Sequence, residues 1–331
     1  MRTTTEVDRD LVQWGERLFY PGNRMVRTEA TPRLAGSARQ RAAAIRQRIQ
    51  ATVVRRAPQV MVKVTGGGRG MAAIAAHLRY ISKSGRLPFE DDRGVICEGK
   101  EALHDLVDQW RYGGSFIDQT SDRREAFNIM LSMPGGNDPL MVQRAAREFA
   151  QAELGDHRYV MVLHDHQANP HIHLSVRAES RHGKRLNPRK ADLQRWRETF
   201  AEKLRGWGID AEATRQRTRG QVRNYEPIWR IKAAEEERLR TPTPMAKSGK
   251  GIEQDRAIAA RAWERIADSL SRSTSPEDRA LAEHVDRFLS DAFALEARRR
   301  LDVVPERKRN IQIIQPARVI ARERDGPSIE R

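Results

Sequence analysis

The amino-acid sequence predicts an α+β fold, a mostly antiparallel sheet with helices packed on it. Short stretches with period-two apolar alternation recur through the middle of the chain. Amphipathic stretches with helical spacing stand between them. Two of the strands are separated only by HQANP, which makes them a hairpin. In order, QVMVKVT (59–65) alternates as a strand and GGGRG (66–70) is a loop. Residues 71–85 read as a helix, with Ala72, Ala76 and Tyr80 on one face and Gly85 as its stop. A second helix covers about 100–111, and FNIMLSM (127–133) is a strand closed by the turn PGGNDP. A helix follows at 139–154, then the hairpin strands YVMVLHD (159–165) and HIHLSVRAE (171–179). A helix at 188–206 and a short strand at 209–214 complete the order β–α–α–β–α–β–β–α–β.

This unit is expected over residues 58–225. Residues 1–57 read as a basic extension. Between Arg39 and Arg56 it carries Arg39, Arg41, Arg46, Arg48, Arg55 and Arg56 and no acid, so it is expected to be solvated or to touch phosphate rather than pack as core. Residues 226–331 read as a charged region: a linker at 240–251, helix over 254–300, and a disordered Arg- and Pro-containing end at 301–331.

The chain has 331 residues, 38 % of them apolar and 32 % charged, with a net charge of +16. That balance points to a polyanionic partner, of which nucleic acid is the commonest. The bland alternative is a basic protein that is merely soluble. The single cysteine, Cys97, excludes a disulfide framework and a cysteine-based zinc site and fits a reducing cytoplasm, the expected location. The first residues lack the apolar core of a secretory signal, and no apolar run is long enough to cross a membrane, so no membrane insertion is expected.

The most informative string is HDHQANPHIHL, which begins at His164 and holds four of the nine histidines. His171 and His173 are two apart on a strand, so both side chains leave the same face. His164 ends the preceding strand, and a hairpin would bring it beside that pair. Three imidazoles from two adjacent strands form a facial ligand set with open positions, as a catalytic divalent metal requires. Two readings compete: histidines gathered by chance at the surface, and a closed structural zinc site.

The same string resembles the third motif of conjugative relaxases, the mobilization nucleases of the HUH endonuclease superfamily, plasmid border endonucleases among them. Their name describes two histidines flanking an apolar residue, as in His171-Ile172-His173. The family's third metal histidine lies seven residues earlier, where this chain has His164, and Asn169-Pro170 also fits the pattern. Many relatives carry Asp two residues after the first histidine. Here His166 stands there with Asp165 beside it, which leaves two readings: Asp165 substitutes as the carboxylate, or His166 takes another role.

The resemblance also implies a tyrosine nucleophile on the first helix. Of the five tyrosines only Tyr80 stands after a strand and a Gly-rich turn, followed by Ile81-Ser82-Lys83-Ser84-Gly85, which is similar to the family's first motif. Without the family, Tyr80 is an aromatic on an amphipathic helix, and core packing explains it. Tyr112 is the next tyrosine to consider. A phenol with pKa near ~10 is a poor nucleophile at neutral pH. A nearby cation would favour the phenolate, and Lys83 and Arg79 are the candidates. FNIMLSMPGG resembles the second motif and implies that Ser132 contacts DNA near the nick; an ordinary strand and turn explain it equally.

Other basic groups are weaker signals. Gly66-Gly67-Gly68 with Arg69 would let backbone approach a phosphate, without the ending of a nucleotide-binding loop. Arg185, Arg189, Lys190 and the RQRTRG segment (215–220) are phosphate-contact candidates whose alternative is solvated surface. The resemblance implies site- and strand-specific nicking through a 5′-phosphotyrosyl intermediate, with Mg²⁺ or Mn²⁺; three nitrogens would also suit Zn²⁺. It implies single-stranded plasmid DNA at a transfer origin as substrate, with accessory DNA-binding proteins and a type IV secretion coupling protein as partners. The alternatives are a rolling-circle replication initiator of the same chemistry and a non-catalytic, metal-stabilised DNA-binding protein.

Overall fold

The computed structural model describes residues 4–20, 36–166, 169–220 and 250–309. Its centre is a six-stranded sheet in which every paired neighbour is antiparallel. In chain order the strands are β1 (Met61–Gly66), β2 (Phe89–Asp91), β3 (Ile96–Cys97), β4 (Ala126–Ser132), β5 (His157–His164) and β6 (His171–Ser180). Their spatial order is β1-β4-β6-β5-β2-β3, so β6 and β4 sit in the interior of the sheet.

Period-two alternation on β6 sorts its side chains between two layers. Ile172, Leu174, Val176 and Ala178 join Phe127, Ile129 and Leu131 of β4 in one core. Helices α5 (Pro139–Leu154) and α6 (Lys190–Gly206) cover that face, where Trp196 and Phe200 pack edge-on against Phe149. Each such aromatic contributes roughly 1.5–3 kcal/mol by leaving water. The opposite face, with Ala126, Val160 and Val162, is covered by α3 (Met71–Ile81) and α4 (Lys100–Tyr112) through Met71, Ile74, Leu78, Leu106 and Trp110. The odd-numbered residues of β6, His171 through Glu179, therefore lie on the α3/α4 side.

Local chemistry sets the helix ends. Asp138 accepts a hydrogen bond from the Leu140 amide and Pro139 opens α5, so the turn read as PGGNDP is also an N-cap. The first amides of α3, Met71 and Ala72, donate to the Asp118 and Gln119 carbonyls, which replace the missing helical partners. In the Gly-rich turn before α3, a Cβ on Gly67 would come within 2.3 Å of the Ala126 carbonyl oxygen. The close approach there is to the protein's own backbone, and Arg69 donates to the Asp122 carbonyl.

Several expectations need correction. The helix read over 71–85 ends at Ile81, and Lys83, Ser84 and Gly85 follow in the left-handed region. The strand expected at 209–214 is one parallel bridge, Gln59 to Glu212. The short strands β2 and β3, which end the sheet beyond β5, are absent from the expected order.

The basic N-terminal segment is also not a solvated arm. Helices α1 (Thr4–Phe19) and α2 (Ala38–Ile49) pack with α7 (Lys250–Ser271) and α8 (Pro276–Arg309) around Leu11, Ile45, Ile49, Trp263, Ile266 and Leu270. A π-helical turn, Gln50–Val54, leads from α2 towards β1. Arg46 is satisfied by Asp8 and Asp278 at 2.7 and 2.8 Å. The 215–220 segment is a structural hub: Arg215 donates to Gln194, Arg217 pairs with Asp255, and Thr218 bridges the Leu18 carbonyl and the Trp263 indole. Helix α8 continues to Arg309, into the segment expected to be disordered. The expected linker at 240–249 and the end at 310–331 lie outside the described residues.

Candidate active site

The ladder between β5 and β6 sets His164 directly opposite His171. His173 follows two residues on and leaves the same face. The three rings stand 5.1 Å (His164–His171), 4.6 Å (His164–His173) and 5.1 Å (His171–His173) apart. One potential ligand atom from each lies within 4.8 Å of the others. Two nitrogens on one ion at ~2.1 Å stand at most about 4.2 Å apart, so small side-chain rotations bring the set onto a single ion. No fourth His, Cys, Asp or Glu joins the group among the described residues, which leaves positions open as a catalytic site needs and a closed structural site does not.

Hydrogen bonds orient the rings. His164 Nε2 lies 2.7 Å from the Ile81 carbonyl oxygen, and His171 Nδ1 lies 3.0 Å from that of Asn169. A carbonyl only accepts, so those nitrogens carry the hydrogens, and the lone pairs fall on His164 Nδ1 and His171 Nε2. Burial, reinforced by the imidazoles of His164, His171 and His77, pulls the His173 pKa down to about 3. Burial also lowers that of His164, with Lys83 among the neighbouring charges acting in the same direction. These two rings are neutral at pH 7 and free to donate a lone pair.

Tyr80 occupies the last turn of α3 and is 72 % exposed, so core packing does not explain it. The next residue supplies the carbonyl that His164 holds, which ties this turn to the triad. Beyond it the chain reverses through Lys83 (φ 49°) and Ser84 (φ 60°), uncommon values for residues with a side chain. The buried Ser82 hydroxyl secures the reversal by donating to the Leu78 carbonyl and accepting from the Gly85 amide. Tyr112 lies at the end of α4, where its ring packs on Phe116.

The remaining candidates divide. Ser132 stands opposite His171 on β4, but it is buried and its hydroxyl donates to the Pro170 carbonyl. Asn169 accepts from the Gly135 amide through Oδ1, pinning the loop before β6 to the loop after β4. The His166 ring lies 5.2 Å from that of His164. Asp165 is exposed, and no hydrogen bond from it reaches the triad. Arg185 is not brought to the site: it pairs with Glu125 and Glu179 at the far end of β6.

His77 escaped the sequence reading. It precedes Tyr80 by three residues, so the two share a helix face. Its ring stands 6.4 Å from Tyr80 and 6.5 Å from His173, and its buried Nε2 has no hydrogen-bond partner.

Residues 90–209 match the family model of the relaxase nuclease domain, MobA/VirD2-like. The antiparallel α+β fold and the histidine triad fit that class, that of the DNA-nicking relaxases. The resemblance read from HDHQANPHIHL, to a relaxase of the HUH superfamily, is borne out by this match. It takes in β2 through α6 with all three histidines; β1, α3 and Tyr80 precede it. No curated protein matches the chain.

Proposed function

We propose that this chain nicks one strand of plasmid DNA at a transfer origin, with Tyr80 as the nucleophile. In this reading His164, His171 and His173 hold a divalent ion, Mg²⁺ or Mn²⁺ before Zn²⁺. The observation that carries it is the hydrogen bond from His164 to the carbonyl of Ile81, which fixes the turn bearing an exposed tyrosine to three imidazoles that could hold a metal.

Tyr80 Oη attacks the phosphorus in line. A bond forms between Oη and the 5′ phosphate, the bond from phosphorus to the 3′ oxygen breaks, and the departing oxygen takes up a proton as the phenol gives one up. One phosphodiester replaces another, so the bond energy is kept and the strand can be rejoined. The ion, when bound, supplies Lewis acidity that draws off phosphate charge. The Lys83 ammonium stabilises the phenolate as its proton leaves. His77 packs along the tyrosine and limits its swing.

The nuclease unit in this reading is 58–225, since β1 and α3 belong to the same sheet layers as the matched segment. Segments 1–57 and 226–331 serve the DNA or its partners, namely accessory DNA-binding proteins and a type IV secretion coupling protein, within the cytoplasm. The test is incubation of the full chain with single-stranded origin DNA and Mg²⁺, followed by a denaturing gel. A covalent protein–DNA band is expected, lost in EDTA and restored by excess metal. Undiminished cutting in EDTA contradicts the metal chemistry.

A further inference from the structure

The α3/α4 face of β6 continues past the histidines to Arg177, six residues from His171 and roughly 20 Å along the strand. Arg177 is 3 % exposed. Its guanidinium donates to the carbonyls of Trp110, Gly113 and Ser115, at the end of α4 and in the loop beyond it. Arg158, on β5, donates to the Gln109 carbonyl of the same helix end. Neither arginine has a carboxylate within ion-pair distance among the described residues. The C-terminus of a helix offers roughly half a negative charge against the two positive charges placed on it. Burial first, and then the Arg158 charge, lower the Arg177 pKa, with Glu179 and Glu125 acting in the opposite direction.

The loop is cut to fit these two groups. A Cβ on Gly113 would come within 2.3 Å of an Arg158 nitrogen, and one on Gly114 within 3.4 Å of the Arg177 guanidinium. Gly113, Gly114, Ser115, Arg158, Arg177, Glu179 and Arg181 line a cavity of about 290 Å³. Two of its charged residues are already engaged: Glu179 with Ser115 and Arg185, and Arg181 with Asp92. On either side of the loop Tyr112 and Phe116 stand 64 % and 59 % exposed, their rings 5.8 Å apart, and the Arg111 guanidinium lies over Tyr112. Exposed aromatics beside an arginine that has no ion pair, here Arg158, are the arrangement that holds unpaired bases and the phosphate between them.

We propose that this loop is a second contact for the single strand, remote from the nick: Arg158 takes a backbone phosphate, Arg177 holds the loop beneath it, and Tyr112 and Phe116 stack the adjoining bases. The proposal rests on the reading of the chain as a single-strand nuclease, but its test does not need cleavage. In a Tyr80→Phe background without divalent metal, fluorescence anisotropy would follow a labelled oligothymidylate and a duplex of equal length. Tyr112→Ala with Phe116→Ala should weaken single-strand binding by about tenfold per aromatic and leave duplex binding unchanged. Tyr112→Trp with Phe116→Trp, which keeps two stacking faces, should restore it. Arg158→Gln should reduce the salt slope by about 0.7. Single-strand affinity equal to the parent's in the alanine pair, or an equal loss on duplex, overturns the proposal. If the full chain forms no adduct with origin DNA while these variants behave as stated, the nicking reading fails and the single-strand site stands.

Discussion

His164, His171 and His173 converge because one antiparallel ladder sets two of them opposite each other and strand alternation returns the third to the same face. Replacing His171 or His173 with Ala removes one of the three imidazoles that could hold a metal. Loss of an outer-shell partner alone costs about 10- to 100-fold in metal affinity, so ligand loss should exceed 100-fold, measured by titration calorimetry with Mn²⁺. DNA binding without metal should change little. The histidines also tie metal-free stability to pH. Folded His173 stays neutral down to about 3, while an unfolded histidine protonates near ~6.5. Between those values the unfolded state binds more protons, so stability falls as pH falls, by up to about 1.4 kcal/mol per pH unit from this group. Urea midpoints of the metal-free protein should drop between pH 7 and pH 5, and His173→Gln should flatten that dependence. A midpoint that rises on acidification contradicts the buried neutral assignment.

Helix α3 and its reversal carry the tyrosine to the triad. Ser82 makes two hydrogen bonds there from a fully enclosed position, so Ser82→Ala should cost about 1–3 kcal/mol. It should slow cleavage more than it weakens DNA binding, because it loosens the tyrosine's placement and not the DNA surface; single-turnover rates beside binding isotherms separate the two. The strands of this unit were legible because β4, β5 and β6 are short apolar runs bounded by turn residues, buried on both faces of the sheet, and the triad because HxH on a strand fixes geometry by itself. The end of α3 was not, since the reversal uses Lys83 and Ser84 at positive φ and only Gly85 advertises it. Strands β2 and β3 are too short to show a period. The 209–214 segment has strand-like residues but keeps one bridge, in which the Glu212 amide donates to the Pro58 carbonyl and its carbonyl accepts from the Val60 amide. His77 was legible in principle, three residues before Tyr80, but the helix face was read from Ala72 and Ala76 instead.

At the scale of the whole molecule, two cores meet through charge. Arg48 of α2 reaches Glu198 and Glu212 of the sheet unit at 3.6 and 3.4 Å and stacks over Tyr20. Arg48→Ala removes the cation shared by the buried Glu212 and the half-buried Glu198, while Arg205 stays 3.9 Å from Glu212, so the loss should be about 1–3 kcal/mol. Trp263→Ala should cost ~3–5 kcal/mol by opening a cavity among α1, α2 and α7. If the helical cluster is a support and not part of the chemistry, the Trp263 variant should lower thermal stability while its nicking rate at low temperature stays near the parent's. Arginine density hid this cluster in the sequence: Ala42, Ile45 and Ile49 have helical spacing, but the charges between them read as a solvated face. In the proposed reaction Tyr80 attacks the DNA beside the triad. The most direct measurement is to form the adduct with origin DNA, digest protein and DNA, and locate the nucleotide-bearing peptide by mass spectrometry. A single modified residue, Tyr80, is expected. Modification of Tyr112 or any other residue, with Tyr80 unmodified, contradicts that reaction.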